Sequence, residues 1–268
     1  MTNQGDFATH RRDGEVVIKV LDVRHPAGAG FVAAAQRTGV TGMNTYLSTL
    51  RAAGVTLPAD LSVQSAEPLT VRHRWVNGPV LLDYASVDPQ RFVDAVAEIA
   101  QWVRTLDVAD ARIDTNLANF CVADNGVVLI DVLPPLMPSL RPKATNLFDV
   151  LFTALCFDTT VILDSLIGYA ARALLRADIR LSISQREYLT RQIAQRVAEP
   201  VGQLPFPQSW FRARVTLALR ALAGETEATR LQDFFTLTSV RTFRDLPEEE
   251  RAHLIRRVDQ MLKESSRP

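Results

Sequence analysis

The sequence predicts an α+β fold of two lobes, a small β-rich one followed by a larger helical one. Three observations predict it. Short β-branched runs with turn signals dominate the first third of the chain. Everything after Thr145 has helical spacing with few breaks. Between them lies one further hairpin, embedded among helices near residues 119–131. The division falls near residues 78–86, with Asn77-Gly78-Pro79 as the break, giving a β-rich segment 1–78 and a helical segment 79–268.

Residues 8–23 read as a hairpin turning at Arg12-Asp13-Gly14, because Asp-Gly between strand-forming runs favours a tight turn. Its second strand is Glu15 to Leu21. Residues 24–30, with His25-Pro26 and two glycines, read as a loop. Phe31 to Ala53 has a helical pattern interrupted at Gly39 and Gly42, strongest where Met43, Tyr46, Leu47 and Leu50 recur at spacings of three and four. Gly54 is placed to end it. Two strands follow over 61–76, the second from Leu69 to Val76. Asp88-Pro89 opens a helix, since aspartate caps and proline suits the first helical position. Its apolar face is Phe92, Val96, Ile99, Val103 and Leu106. The embedded hairpin runs from Asn119 through Asp124-Asn125-Gly126 to Asp131. The helical remainder breaks at 200–208 and 245–247.

The chain has 268 residues, 47% of them hydrophobic, and carries 30 basic against 30 acidic groups. That balance supports a sizeable core, and no basic block marks a nucleic-acid or membrane surface. Cys121 and Cys156 are too few for a disulfide framework or a cysteine-only zinc site. The polar start, Met1 to Arg12, has no signal-peptide core. The apolar region Leu147–Leu175 is broken by Asp149, Asp158 and Asp164, which predicts buried helix rather than a membrane span. The expected setting is cytoplasmic. All but three of the cations are arginine, the lysines being Lys19, Lys143 and Lys263. Lys19 lies inside a predicted strand, where a compact ammonium suits a tight phosphate contact.

The embedded hairpin carries the chemistry. Asp114 and Asn119 stand just before its first strand and Asp131 closes its second. Two carboxylates and a carboxamide at one end of a ribbon are hard oxygen donors of the kind magnesium takes, with water and phosphate oxygens completing the shell. A further carboxylate serves to accept a proton from an attacking hydroxyl. Phosphoryl transfer asks for little more than these and a cation on the phosphates.

Ile113-Asp114-Thr115-Asn116-Leu117-Ala118-Asn119-Phe120 resembles the catalytic loop of the protein-kinase-like superfamily. Leu129-Ile130-Asp131 resembles its second metal-binding position, and Val17-Ile18-Lys19 its phosphate-binding strand. The short step from Asn119 to Asp131 is most similar to the aminoglycoside phosphotransferase branch. Arg51-Ala52-Ala53-Gly54-Val55-Thr56-Leu57-Pro58 and Arg74-Trp75-Val76-Asn77-Gly78 resemble that branch's helix end and interlobe linker. The resemblance spans roughly residues 5–160.

The resemblance implies a protein-kinase-like bilobal fold, with a small antiparallel-sheet N-lobe that binds nucleotide and a larger helical C-lobe that holds the acceptor. It implies an ATP- and magnesium-dependent phosphotransferase acting on a hydroxyl of a small molecule such as an aminoglycoside or nucleoside. Asp114 would be the catalytic base or orienting group, and Asn119 and Asp131 the metal ligands. Lys19 would contact ATP phosphates, and the backbone of Arg74, Trp75, Val76 and Asn77 would meet adenine. Asp149 would brace the catalytic loop. The chain departs from the pattern in three places. Arg112 replaces the usual histidine, no glutamate lies between Glu15 and Glu67 to pair with Lys19, and only Gly5 precedes the hairpin as phosphate-covering glycine. Those departures carry the alternative, a pseudokinase that binds nucleotide or a partner without efficient transfer. With no glutamate available, Lys19 is expected beside Asp131.

Overall fold

The computed structural model describes residues 7–22, 29–177, 182, 184, 187, 201–225 and 234–265. It is a mixed α+β chain in which a small antiparallel sheet precedes a mostly helical remainder. β1 (Ala8–Asp13) and β2 (Val16–Leu21) pair through the expected turn, where Gly14 takes a φ of 58° that glycine accepts without strain. β3 (Ser62–Ala66) and β4 (Leu69–Arg74) complete a sheet of order β1-β2-β4-β3. Alternation along β2 and β4 turns Val17, Lys19, Leu21, Leu69, Val71 and His73 to the buried face.

Two helices lie between β2 and β3. α1 (Ala29–Gln36) and α2 (Gly39–Ala52) break only ahead of Gly39, whose φ is 62°. Gly42, expected as a second interruption, sits inside α2 facing the Thr38 side chain. The predicted face Met43, Tyr46, Leu47 and Leu50 is fully buried. Gln36 ties α1 to the sheet, its amide donating to Ala66 O and its Oε1 accepting from Leu69 N.

β4 stops at Arg74 instead of reaching Val76, and Trp75 N donates to Glu15 O at 2.7 Å before the chain leaves the sheet. Trp75 is partly exposed, with the Arg12 guanidinium 4.0 Å from its ring centroid. The next residues are strapped to the embedded hairpin. Val122 N donates to Pro79 O at 2.9 Å, Val80 bridges Cys121, and a Cβ on Gly78 would overlap the Val122 carbonyl oxygen.

α3 (Leu81–Tyr84) leads into α4 (Pro89–Thr105), which Asp88 caps by accepting from Arg91 N at 3.0 Å. The hairpin is β5 (Phe120–Ala123) with β6 (Gly126–Leu129). Pairing ends two residues earlier than expected, but Ile130 N still donates to Asn119 O at 2.8 Å and keeps Asp131 at the ribbon's end.

α5 (Leu147–Phe157) and α6 (Thr159–Arg176) are separated by an 84° bend at Asp158 that the helical spacing did not predict. Asp158 takes extended backbone and pairs with Arg141. Among the described residues no single helix is long and apolar enough to cross a membrane. The bent α5–α6 pair reaches that composition only by joining two core helices. α7 (Gln208–Leu222), α8 (Val240–Phe243) and α9 (Glu248–Ser265) follow.

The main apolar core is continuous from Ala8 to Leu174. It runs from the sheet and α2 past the linker into α4, the hairpin and α6. A second core gathers α5, α7, α8 and α9 around the buried Trp210 and Phe211. A smaller aromatic cluster joins Phe7 and Phe31 to Phe152 and Phe157 of α5, with ring centroids 5.3–6.1 Å apart.

Candidate active site

β2 carries Lys19 to the buried face, and its Nζ lies 3.2 Å from Asp131 Oδ1. The lysine side chain is 7% exposed and the carboxylate 21%. The pair therefore sits at the boundary between core and solvent. Asp131 Oδ1 also accepts from Leu133 N at 3.4 Å.

Asp114 stands on a loop folded by its own polar side chains. Its Oδ1 accepts from Asn116 N at 2.9 Å, and Asn116 Oδ1 accepts from Ala118 N at 3.2 Å. These local bonds favour turns over regular structure. Asn119 N donates to Asn116 O, and Asn119 Nδ2 reaches Asp114 O at 3.4 Å. Beside the exposed Asp114, the buried Thr115 donates to Ile162 O at 3.4 Å and anchors the loop to α6. The structure thus gathers Asp114, Asn119, Asp131 and Lys19 at one end of the ribbon.

On its far side the Asp114 charge reaches Tyr46, Cys156 and Tyr169. Burial first, then that charge, pushes the Cys156 thiol well up. Tyr46 and Tyr169 are raised mainly by burial, Tyr169 to about 12, with Asp114 adding to both shifts.

Arg112, just ahead of Asp114, is a hub of backbone contacts. Its guanidinium donates to the carbonyls of Leu106, Asp107, Ala109, Ala111 and Phe157 at 2.6–3.1 Å. Its backbone N donates to Leu136 O, and its carbonyl accepts from the buried Tyr46 hydroxyl at 2.7 Å. One residue thereby joins the end of α4, the end of α5, the segment after Asp131 and helix α2. Asp149 does not brace this loop. It closes a reciprocal cap on α5, its backbone N donating to Asn146 Oδ1 while Thr145 donates to its carboxylate.

The linker residues divide into two pairs. Arg74 N donates to Ala59 O, Trp75 N donates to Glu15 O, and the Arg74 side chain pairs with Asp60 at 2.8 Å. Val76 and Asn77 have no backbone partner among the described residues.

Sequence reasoning passed over four residues here. Arg112 enters the sequence pattern as a departure and Tyr46 as part of an apolar helix face, while His10 and His73 carry no spacing that marks them. His10 pairs with Lys19 across β1–β2, and His73 faces Val17 across β2–β4. The signal was strand alternation, which puts both imidazoles on the lysine's face. Burial leads in lowering both imidazoles from the usual 6.5; the Lys19 charge adds to the lowering, and for His73 the hydrogen bond to the Arg74 carbonyl opposes it. The unfolded chain thus binds protons that the folded chain refuses. Their contribution is complete above 6.5 and falls as pH drops.

The donor set fits magnesium. Asp131 offers a carboxylate and Asn119 a carboxamide oxygen, both hard. Among the described residues no cluster of three His, Cys, Asp or Glu side chains could hold a metal unaided. An ion here would draw its remaining ligands from water and phosphate. No protein-family model and no curated protein matches the chain.

Proposed function

We propose that the protein is an ATP- and magnesium-dependent phosphotransferase of the protein-kinase-like type, acting on a hydroxyl of a small molecule. In this reading residues 1–78 form the nucleotide-binding lobe and residues 79–268 carry the catalytic loop and the acceptor site. The observation that supports it most directly is the 3.2 Å contact between Lys19 and Asp131, with Asp114 and Asn119 at the same end of the hairpin. Asp114 orients the acceptor hydroxyl and takes its proton as the oxygen bonds to the terminal phosphorus. The bond from that phosphorus to the bridging oxygen breaks, and the nucleoside diphosphate leaves. Lys19 turns from Asp131 to the phosphates, which leaves Asp131 free to join Asn119 in holding a magnesium ion. Magnesium, when bound, offsets the negative charge of the phosphate oxygens. Backbone groups of Val76 and Asn77 receive the base.

The test is magnesium-dependent nucleotide consumption against a panel of aminoglycosides, nucleosides and hydroxy-metabolites. Asp114→Asn should lower turnover by about 10²–10⁴-fold, the usual reach of a positioned acid–base group, with MgATP affinity nearly unchanged. Absence of any magnesium-dependent nucleotide binding would overturn the reading. One observation favours a second reading, nucleotide binding without efficient transfer: Lys19 is held by the carboxylate that would ligate the metal. MgATP binding with no turnover on any acceptor would select it.

We further propose that the base reaches His73, which is 3% exposed, and that this contact sets the base preference. Its Nδ1 lies 2.7 Å from Arg74 O, and a carbonyl only accepts, so Nδ1 carries the proton. Nε2 is then a buried acceptor with no partner. Adenine presents an exocyclic amine donor where guanine presents an acceptor oxygen. ATP should therefore bind about 10-fold or more tighter than GTP by calorimetry. His73→Leu should narrow that gap, and equal affinities in the natural protein would contradict the assignment.

A further inference from the structure

The helical segment treats its buried arginines unequally. On α7, Arg212 is matched by Asp164 of α6, with Nε 3.1 and 3.0 Å from the two carboxylate oxygens and both side chains buried. Two residues on, Arg214 is 7% exposed and has no carboxylate partner among the described residues. It donates to Thr238 O at 2.8 Å, and its guanidinium lies 5.2 Å from the Phe235 ring centroid. Arg172 of α6 approaches the same ring at 5.9 Å and reaches Thr236 Oγ1 only at 3.5 Å. Its Nε is buried with no hydrogen-bond partner, and no described acid pairs with it.

Two guanidiniums around one ring, one deeply buried, form an uncompensated positive site. Removing such charges from water is costly unless an anion accompanies them. The Arg214 guanidinium is pulled down to about 10 by burial, with Arg172 adding to the effect, and so remains charged at neutral pH. Tyr169, one helical turn before Arg172, lies within electrostatic reach of both arginines and of Asp114.

We infer that Arg172 and Arg214 receive the phosphate group of a small anionic ligand. The charge count selects phosphate. Two guanidiniums match a group of charge about −1.5 to −2, which a single carboxylate does not supply. A polycationic aminoglycoside would meet repulsion at the same place.

The test uses the full-length protein and inorganic phosphate, titrated by calorimetry at ionic strength held constant with chloride. Saturable binding is expected, weakened at least 10-fold in Arg172→Gln and in Arg214→Met, with acetate binding far more weakly than phosphate. Should Arg214→Met not fold, the half-buried Arg172→Gln decides. Lys19→Met serves as the control for the nucleotide's own phosphate subsite. Phosphate no better than chloride would overturn the inference, as would affinity kept by both arginine variants or lost only in Lys19→Met. MgATP binding, measured on the same samples, reports separately on the phosphotransferase reading. Its absence with phosphate binding intact would sink that reading and leave an anion site. Its presence without phosphate binding would sink only the inference.

Discussion

Replacing Lys19 by alanine should cut magnesium-dependent phosphoryl transfer by about 10²–10³-fold, the loss of a transition-state contact of about 3–4 kcal/mol. The residue's place predicts a selective loss. Lys19 is inward on β2, two residues from Val17 and Leu21 on the same buried face, and among the described residues its ion-pair partner is Asp131. Its removal leaves Asp131 on the solvent side of the contact, 21% exposed, so the carboxylate hydrates and the fold loses little. Melting should shift by a few degrees at most while turnover collapses. Lys19→Arg should fail as well, because a broad guanidinium does not fit where a point charge packs between His10 and Val71. Full activity in the alanine variant would remove the sheet from the chemistry and leave only the hairpin.

Replacing Arg112 by methionine should have the largest effect on stability. Five carbonyls accept from that guanidinium, and they belong to the ends of α4 and α5 and the turn between α4 and the Asp114 loop. Methionine fills part of the volume and satisfies none of them. Buried acceptors left unpaired cost about 1–3 kcal/mol each where water does not reach, so a total loss of about 3–5 kcal/mol is expected. In a chain of this size that lowers the melting temperature by about 10 °C. Arg112→Lys should recover little, since an ammonium cannot span carbonyls from Leu106 to Phe157. A urea midpoint within experimental error of the natural protein would show that the carbonyls find other donors.

The elements were legible in the sequence where local chemistry decides them. Asp13-Gly14 and Asn125-Gly126 made their hairpins, Asp88-Pro89 started its helix, and the Met43–Leu50 face was buried as its spacing required. The bend at Asp158 was not legible, because one aspartate in an apolar run looks the same in a continuous helix as at a corner. Only its pairing with Arg141 marks the corner. For the candidate site, Asp114, Asn119, Asp131 and Lys19 carried a readable spacing, since their separation is set by one hairpin and one strand. Arg112 and Tyr46 did not. Their partners lie 45 and 66 residues away, and nothing local in the sequence encodes those distances. His73 was hidden for another reason. Its tautomer depends on the carbonyl of the next residue, a detail of backbone geometry rather than of residue type.

The linker has a consequence for motion. Asn77-Gly78-Pro79 looks like a flexible hinge, yet Gly78 abuts the Val122 carbonyl and Pro79 is bonded to Val122. Upstream, Arg74 and Trp75 are bonded to Ala59 and Glu15. Among the described residues, Val76 and Asn77 are therefore the linker positions that no backbone bond restrains. On the phosphotransferase reading, a purine seated on those two residues would take up that slack. Ligand binding would then act as a splint, and the unliganded chain would carry its slack inside the proposed binding site.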